Sequence, residues 1–361
     1  MFDSHFRGLT ALVPTLLLTL SACGAGLSGP AAGTNPQAPS GDSSQIVRRA
    51  YTFACPCEYV ADIKGTSINP GEVVVFPITA NGNYNPGTNV IIGSNTGLQS
   101  PAGIALDSTG NIYVTNMGNS SVTVYSAGSS GNVAPIATIS GTNTGLLNPF
   151  GIALDSGGRI YVANGLNTTT PSVTVYAAGS NGNVSPLATI AGPLTGLADP
   201  SGIVVDALGR IFVGNVNTPS LNGFVTTYSA GANGNVAPIR TIGGPLTGFA
   251  NGVWGVAWKN NRIFVTSGTS PGGQIGIFPA LSNGNVAPTR SISGPLTQLQ
   301  SPVGITVGPM NRIYVANVRG PSVNLYSAYS GLGAGNNNIA PFRYVSGGNT
   351  QLGAPYGIAA Q

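Results

Sequence analysis

The sequence predicts an all-β protein built from six similar four-stranded sheets, and two recurring patterns carry this prediction. The stretch GIALDSGGRIYVAN, which begins at Gly151, has apolar residues at alternate positions on both sides of a short turn and therefore predicts a β-hairpin. A second pattern, VTVYAAGSNGNVSPLATIAG from Val173, predicts two more short strands joined by a loop with a Gly-Asn pair. Together the two patterns hold four strands, and both recur along the chain.

The spacing of the repeats favours a β-propeller. Each copy of the hairpin begins at a glycine, and the steps between successive glycines are 48, 51, 53, 49 and 53 residues; these are Gly103, Gly151, Gly202, Gly255, Gly304 and Gly357. A lone hairpin is barely stable in water, whereas sheets repeated at this period bury their faces against one another around an axis. We therefore expect a six-bladed β-propeller with four antiparallel strands per blade, called a, b, c and d from the axis outwards.

The two ends of the chain are expected to meet in the first blade. The sequence holds six c–d units but five complete a–b hairpins, and the last copy, from Gly357, supplies strand a alone. Strand b of that blade is expected from residues 49–54, which read RAYTFA. Such a closure by N-terminal strands and a C-terminal strand pairs an otherwise open sheet edge.

The repeated pattern P-x-G-I-A-x-D…G-R-I-Y-V-A-N…V-x-V-Y resembles that of NHL-repeat propellers. These are similar in shape to the gluconolactonase-like and streptogramin-lyase-like six-bladed families. The resemblance covers residues 47–361 and implies the fold rather than an activity, because propellers host many functions.

The N-terminal residues have the pattern of a bacterial export signal. An apolar run from Leu9 to Leu20 follows Arg7 and is too short to span a bilayer as a helix, but it suits the core of a signal peptide. The run ends in the sequence LSAC, which resembles the lipobox of bacterial lipoproteins and implies diacylation of Cys23. Cleavage near Ala22 or Ala25 by an ordinary signal peptidase is the alternative.

Three parts of the chain follow from these patterns. We expect a signal peptide over residues 1–22, a lipidated cysteine and a tether rich in Gly, Pro and Ser over 23–46, and the propeller over 47–361. A flexible coil of the length of the tether spans about 25 Å. Gly24 after the cysteine resembles outer-membrane sorting, so we expect export and a lipid anchor in the outer membrane if the host has two membranes.

Composition disfavours nucleic-acid binding and His-based catalysis. The 361-residue chain has 6% charged residues and a net charge of +4, and its Lys and Arg residues are scattered rather than clustered on one motif. The one histidine, His5, lies in the predicted signal peptide, so the mature chain has no histidine base or metal ligand. We expect a monomer that does not bind nucleic acid.

The residues just before the strand-a glycines predict a site at the mouth of the central channel. Small and large residues alternate around the ring: Ala102, Phe150, Ser201, Trp254, Val303 and Tyr356. In one interpretation, the three aromatic rings fill the channel mouth and the three small residues leave room for them. An aromatic-lined pocket for a sugar or another flat ligand is the other, with Phe150, Trp254 and Tyr356 as its binding residues.

Asparagines end strand b in four blades, at Asn116, Asn164, Asn215 and Asn317. Asparagine caps loops through side-chain hydrogen bonds, which is the main role expected here. A ring of amides that holds a sugar, a water cluster or a hard cation is the alternative. In the first blade, Ala54 or Cys55 is expected at this position.

A metal-dependent hydrolase is the alternative function. Gluconolactonase-like enzymes hold a divalent metal through a Glu, two Asn and an Asp, and this resemblance would assign a Ca²⁺ site to Asp199 with Asn164 or Asn215. The residues before the strand-a glycines include no Asn, although that family often shows Asn there, so the quartet is not matched. No other cofactor is expected.

Two further sets of residues have open interpretations. Cys55 and Cys57, separated by one proline, are a disulfide, two free thiols or a metal-binding pair. Arginines open strand b in four blades, and they either pair with an aspartate of the preceding turn or form a basic ring that attracts an anionic surface; they are Arg159, Arg210, Arg262 and Arg312.

The function predicted from these observations is that of a non-catalytic binding or scaffold propeller tethered to the bacterial cell envelope. Its partner is expected to be an envelope glycan or a protein bound at the channel mouth.

Overall fold

The computed structural model describes residues 56–63, 70–217, 222–268, 272–327 and 331–361. All of them belong to one compact unit, Val47–Gln361. They form six sheets, and each sheet is one blade of the predicted propeller.

The strands are as follows, in the order a, b, c, d. Blade 1 contains β25 (Pro355–Ala360), β1 (Cys57–Asp62), β2 (Glu72–Pro77) and β3 (Val90–Ile91). Blade 2 contains β4 (Pro101–Leu106), β5 (Ile112–Asn116), β6 (Ser121–Tyr125) and β7 (Ala137–Ile139). Blade 3 contains β8 (Pro149–Leu154), β9 (Ile160–Asn164), β10 (Ser172–Tyr176) and β11 (Ala188–Ala191).

Blade 4 contains β12 (Pro200–Val205), β13 (Ile211–Asn215), β14 (Phe224–Tyr228) and β15 (Arg240–Gly243). Blade 5 contains β16 (Val253–Lys259), β17 (Arg262–Ser267), β18 (Gln274–Pro279) and β19 (Arg290–Ser293), with β23 (Gly335–Asn337) added parallel to β19. Blade 6 contains β20 (Pro302–Val307), β21 (Ile313–Asn317), β22 (Ser322–Tyr326) and β24 (Arg343–Ser346). Short 3-10 helices occur at Pro245–Thr247, Pro295–Thr297, Pro309–Asn311 and Gly348–Thr350.

The all-β, six-bladed fold and the closure of blade 1 by both chain ends are confirmed, because β25 pairs with β1. The prediction that residues 49–54 supply strand b of blade 1 is wrong. That strand is β1, Cys57–Asp62, and residues 49–54 lie outside the described residues. Two charged side chains, Glu58 and Asp62, occupy positions that are Ile and Asn in other blades, so the strand does not show the expected apolar alternation.

Glycines allow the six inner strands to approach closely around the axis. A Cβ atom at Gly151 would overlap the carbonyl oxygen of Ser201 on the next inner strand, and one at Gly255 would overlap the carbonyl oxygen of Val303. The same conflict with the neighbouring inner strand occurs at the other members of the set, Gly103, Gly202, Gly304 and Gly357. The repeated glycine is therefore required by packing between blades.

Asparagines of the c–d loops connect each blade to the blade before it. The side-chain oxygen of Asn183 in blade 3, for example, accepts the backbone N–H of Asn143, which follows strand d of blade 2, at 2.8 Å. The corresponding side chains at the other five interfaces do the same, at distances of 2.7 to 2.9 Å; they are Asn132, Asn235, Asn285, Asn338 and Asn83. The asparagine of the Gly-Asn pair in blades 1 to 5, and Asn338 in blade 6, therefore join neighbouring blades besides belonging to a loop.

An ion pair lies between blades 6 and 1, where the ring closes. Nη2 of Arg343 donates to Oε2 of Glu58 at 2.9 Å, and both side chains are buried. Among the described residues, the other carboxylate oxygen of Glu58 has no hydrogen-bond partner, and neither does the hydroxyl of Tyr314. Burial raises the pKa of Glu58 to about 7, although the charge and hydrogen bond of Arg343 act in the opposite direction.

Two features near the chain ends complete the description. Cys57, at the start of β1, is in a disulfide bond. Its predicted partner, Cys55, lies outside the described residues, as do Cys23 and the predicted signal peptide, so that pairing stays a prediction. In the part of the chain that the structure describes, no helix has the length and apolar character needed to cross a membrane.

The ring-closing ion pair predicts stability that depends on pH. The pKa of Glu58 is about 7 in the folded chain against an ordinary value of 4.5, so the folded state holds an extra proton between these values. The contribution of Glu58 to the free energy of unfolding should therefore be greatest below pH 4.5 and be lost as the pH rises to about 7. Urea denaturation across this range measures the slope.

The chain supplies a control, because Ile160 and Ala137 occupy the equivalent positions between blades 2 and 3 and pack in one apolar cluster. The double variant Glu58→Ile/Arg343→Ala should flatten the pH profile. Glu58→Ile alone should cost about 3–5 kcal/mol, since it leaves a buried guanidinium without a counter-ion. An unchanged slope in the double variant would contradict the role of Glu58.

The glycine ring predicts a second stability effect. Gly151→Ala should lower the free energy of unfolding by about 2–3 kcal/mol, because the added methyl group forces two inner strands apart. At Gly348, a Cβ atom meets no other atom within 4 Å, so Gly348→Ala is the matched control. Equal effects of the two variants would show that the packing of inner strands does not require the glycine.

Candidate functional site

The antiparallel strands give the ring two different faces. Strand a begins and strand b ends at one face, which carries the d–a and b–c loops; we call it the mouth face. The a–b turns and c–d loops lie at the opposite face, which we call the turn face. Trp254 and Tyr356 lie near the start of strand a and therefore belong to the mouth face.

The three predicted aromatic side chains come together at this mouth. The ring of Phe150 lies 6.2 Å from that of Trp254 and 5.8 Å from that of Tyr356, the latter in an edge-to-face arrangement. Phe150 is buried, whereas Trp254 and Tyr356 are half-buried. The Trp254 indole N–H donates to the backbone oxygen of Asn251 at 3.1 Å, and burial raises the pKa of Tyr356. The rings thus fill the end of the channel and still present two partly exposed surfaces.

Apolar residues of the b–c loops complete the cluster and were missed by the sequence analysis. They pack with Ala102, Phe150 and Val303, and they are Met117, Leu166, Val216 and Val318. In three blades they directly follow the Asn that ends strand b, and in blade 3 one residue intervenes. An apolar residue at the start of each b–c loop was the available signal.

A cavity of about 70 Å³ lies on the axis beneath these rings. The glycines of strand a and aliphatic residues such as Ile104 and Ile203 line it. This volume is far below the roughly 300 Å³ at which pockets begin to enclose a small-molecule ligand. A ligand of that size therefore does not fit inside this cavity.

The predicted asparagines cap loops in the structure. The side-chain oxygen of Asn215 accepts the backbone N–H of Ala198 at 2.9 Å, and its amide group donates to the hydroxyl of Thr226 at 3.2 Å. Equivalent hydrogen bonds to a backbone N–H are made by the other three, Asn116, Asn164 and Asn317. All four side chains are fully buried, so the structure does not bring them to the mouth beside the aromatic rings.

In blade 1, the strand-b terminal position is occupied by Asp62 and not by Ala54 or Cys55, so that expectation is wrong. The two carboxylate oxygens of Asp62 accept the backbone N–H groups of Gly353 and Ala354 at 2.8 and 2.9 Å. The carboxylate therefore performs the same capping role as the asparagines of the other blades. The reason for the error is the same displacement of strand b to Cys57–Asp62.

Asp199, the predicted metal ligand, also holds a loop. Its Oδ1 atom accepts the backbone N–H of Asn167 at 2.9 Å, which joins the loop before blade 4 to the b–c loop of blade 3. Among the described residues, no three Asp, Glu, His or Cys side chains are grouped so that they could hold a metal ion. Near Asn215, the backbone N–H of Val216 donates to the carbonyl oxygen of Asp199 at 3.1 Å.

Aspartates on the turn face pair locally, as their position in the repeat predicts. Asp155 accepts backbone N–H groups of its own turn and the Nε–H of Arg159 at 2.7 Å. Partial burial raises the pKa of Asp155, but these hydrogen bonds outweigh it and leave the pKa below its usual value. Asp206 and Arg210 form the same pair in blade 4.

One part of the repeat is recognised by comparison with known families. Residues 98–125 match the NHL repeat. This segment spans strands a, b and c of blade 2 and includes Asn116, which confirms the resemblance that the sequence pattern suggested. A comparison with curated proteins finds no match.

Solved structures with similar folds confirm the propeller. The chain is similar to a component of a nidogen/laminin complex, with 18% identity and a TM-score of 0.54, over 84% of this chain and 97% of the other. It is also similar to a protein of unknown function from Bacteroides caccae, with 11% identity and a TM-score of 0.56, over 84% and 98%. An aldose sugar dehydrogenase from Streptomyces coelicolor matches at 17% identity and a TM-score of 0.48, over 70% and 83%. At these identities the likeness to the first two structures establishes the fold alone, and the third supports no conclusion.

The aromatic cluster predicts unequal effects of truncating its rings. Phe150→Ala should lower the free energy of unfolding by about 3–5 kcal/mol, because it removes a buried ring that contacts both other rings. Tyr356→Ala should cost less, since its ring is half-buried. Thermal or urea denaturation compares the two, and an equal loss of stability would contradict the distinct placement of the rings.

Proposed function

We propose that this protein is a non-catalytic binding propeller of the bacterial cell envelope. In this proposal the chain is exported, is anchored to a membrane through a lipidated Cys23 and binds a glycan or protein partner on the mouth face. The observation that carries the proposal is the pair of half-buried rings, Trp254 and Tyr356, supported from below by the buried ring of Phe150.

The rigidity of this platform supports a role in recognition. Both rings project from the first residues of inner strands, whose backbones are in contact with neighbouring inner strands on either side. A half-exposed aromatic ring held in one orientation binds flat apolar faces, such as those of sugar rings, with little loss of conformational entropy.

The polar groups near the mouth support binding rather than chemistry. The carboxylates of Asp62 and Asp199 accept backbone N–H groups, and the asparagine amides are buried in loop caps. These groups hold the b–c and d–a loops in position around the rings. Recognition in this proposal therefore depends on the ring faces and the apolar residues beside them.

Binding of the full chain to an array of envelope glycans, with and without Trp254→Ala/Tyr356→Ala, tests the proposal. The double variant should weaken binding at least tenfold, as expected for the removal of aromatic anchors from a binding surface. The control is Trp258→Ala/Tyr84→Ala, which removes one ring of each type from the turn-face half of the molecule. Unfolding curves of both variants exclude loss of the fold.

Two results would overturn the proposal. One is glycan binding of equal strength in the two double variants, whether both retain it or both lose it. The other is turnover of a lactone by protein loaded with Ca²⁺, especially if Asp199→Ala abolishes it, because that result would establish the alternative hydrolase function.

A further inference from the structure

Basic residues are concentrated in one half of the turn face, on blades 4, 5 and 6. They lie on a–b turns or at the first residue of strand d, and all are half-buried along their stems; they are Arg240, Lys259, Arg262, Arg290 and Arg312. In blades 5 and 6 the turn position that carries Asp in blades 2, 3 and 4 is occupied by Lys259 and Gly308. The aspartate that pairs with the strand-b arginine in blades 3 and 4 is therefore replaced by another residue in blades 5 and 6.

Contacts within this sector join the blades into one surface. The side chains of Asn260 and Asn311, at the tips of the a–b turns of blades 5 and 6, are hydrogen-bonded at 3.3 Å. The Nε–H of Arg290 in blade 5 donates to the backbone oxygen of Leu332 in blade 6 at 2.9 Å. The guanidinium carbon of Arg312 lies 4.9 Å from the centre of the Phe342 ring.

Large apolar side chains stand at the loop tips of the same three blades. Leu208, Leu281 and Met310 belong to blades 4, 5 and 6, respectively, and they are 72%, 53% and 62% exposed. The a–b turns of blades 2 and 3, with the sequences DSTGN and DSGGR, carry no such residue. Basic and exposed apolar side chains are thus interleaved on the turn face of blades 4 to 6. Blades 2 and 3 also expose apolar residues there, Ile136 and Leu187, but their one basic residue, Arg159, is paired with Asp155.

The chain also enters the propeller from this face. Strand b of blade 1 starts at Cys57, and the preceding residue, Pro56, accepts the N–H of Ile78 in a c–d loop at 3.0 Å. The C-terminal residue, Gln361, donates its N–H to the backbone oxygen of Cys57 at 3.2 Å. Blade 1 adjoins blade 6, so the point of entry lies beside the basic sector.

From this arrangement we infer that the turn face of blades 4 to 6 docks onto an anionic phospholipid membrane. Guanidinium and ammonium groups contact the lipid phosphates, and Leu208, Leu281 and Met310 enter the boundary between headgroups and acyl chains. A soluble polyanion would attract the charges but offers nothing to the three apolar tips. A membrane matches both. Docked in this way, the propeller holds its mouth face away from the bilayer.

Vesicle sedimentation of the full chain carrying Cys23→Ser tests this inference without the acyl anchor. Binding to phosphatidylcholine vesicles measures the baseline that the N-terminal residues contribute. Vesicles that also contain phosphatidylglycerol provide the anionic surface. We expect binding that requires phosphatidylglycerol and weakens as salt is raised. Arg240→Gln/Lys259→Gln should weaken this binding about 30-fold, from about 1 kcal/mol per basic residue.

Matched variants elsewhere control for net charge and for general hydrophobicity. Arg159→Gln/Arg319→Gln removes the same charge from blade 3 and from the mouth face and should change binding less than about twofold. Leu281→Ser/Met310→Ser should weaken binding to the anionic vesicles, whereas Leu194→Ser/Leu246→Ser, at similarly exposed d–a loops, should leave it unchanged. Glycan binding at the mouth is measured separately, so its loss or survival does not affect this test.

Three outcomes would overturn the inference. The first is vesicle binding that does not depend on phosphatidylglycerol. The second is an equal loss of binding in the variants of blades 4 to 6 and in their control variants. The third is a loss of binding in Arg240→Gln/Lys259→Gln but none in Leu281→Ser/Met310→Ser. The last result would show that this surface binds anions through charge alone, without entering the bilayer.

Discussion

The close approach of the six inner strands is the constraint on which the rest of this structure depends. Each strand a contacts the inner strands of both neighbouring blades, and a glycine removes the Cβ that would otherwise meet a neighbouring backbone. The side chains just before these glycines are then forced together at one end of the axis. Phe150, Trp254 and Tyr356 form a cluster because of this convergence, although they are far apart in the sequence.

Contacts at the outer edge make the ring continuous. Every interface between blades has the same hydrogen bond from a backbone N–H to a c–d loop asparagine, including the interface that closes the ring. That closing interface differs in one respect, because it buries Glu58 and Arg343 where an isoleucine and an alanine pack between blades 2 and 3. A buried pair stabilises little compared with apolar packing, but removing one partner is costly. The pair therefore favours the correct pairing of the two chain ends over alternatives that separate the charges.

The two faces have different chemical characters because different parts of the repeat form them. Loop caps made by asparagines and Asp62 hold the mouth face in place, so its exposed features are aromatic and aliphatic. The turn face carries the turn residues, whose substitution in blades 5 and 6 leaves basic groups beside exposed apolar tips. The proposed binding mouth and the proposed membrane-docking sector are compatible in one molecule because they lie at opposite ends of the same strands.

The sequence by itself determined the fold, since the repeated glycine, the alternating strands and the period of about 50 residues each reflect a local requirement of the blade. It also showed that both chain ends share blade 1, but it did not locate β1. Glu58 and Asp62 are stabilised there by Arg343 of blade 6 and by the loop at Gly353, partners more than 280 residues away. The same holds for the candidate site. The position before each repeated glycine indicated the aromatic residues, whereas only the tertiary structure decided that Phe150 is buried, that the asparagines face inward and that the basic turns of blades 5 and 6 adjoin. The burial and pairing of these side chains depend on contacts between blades, so the sequence pattern of one repeat does not encode them.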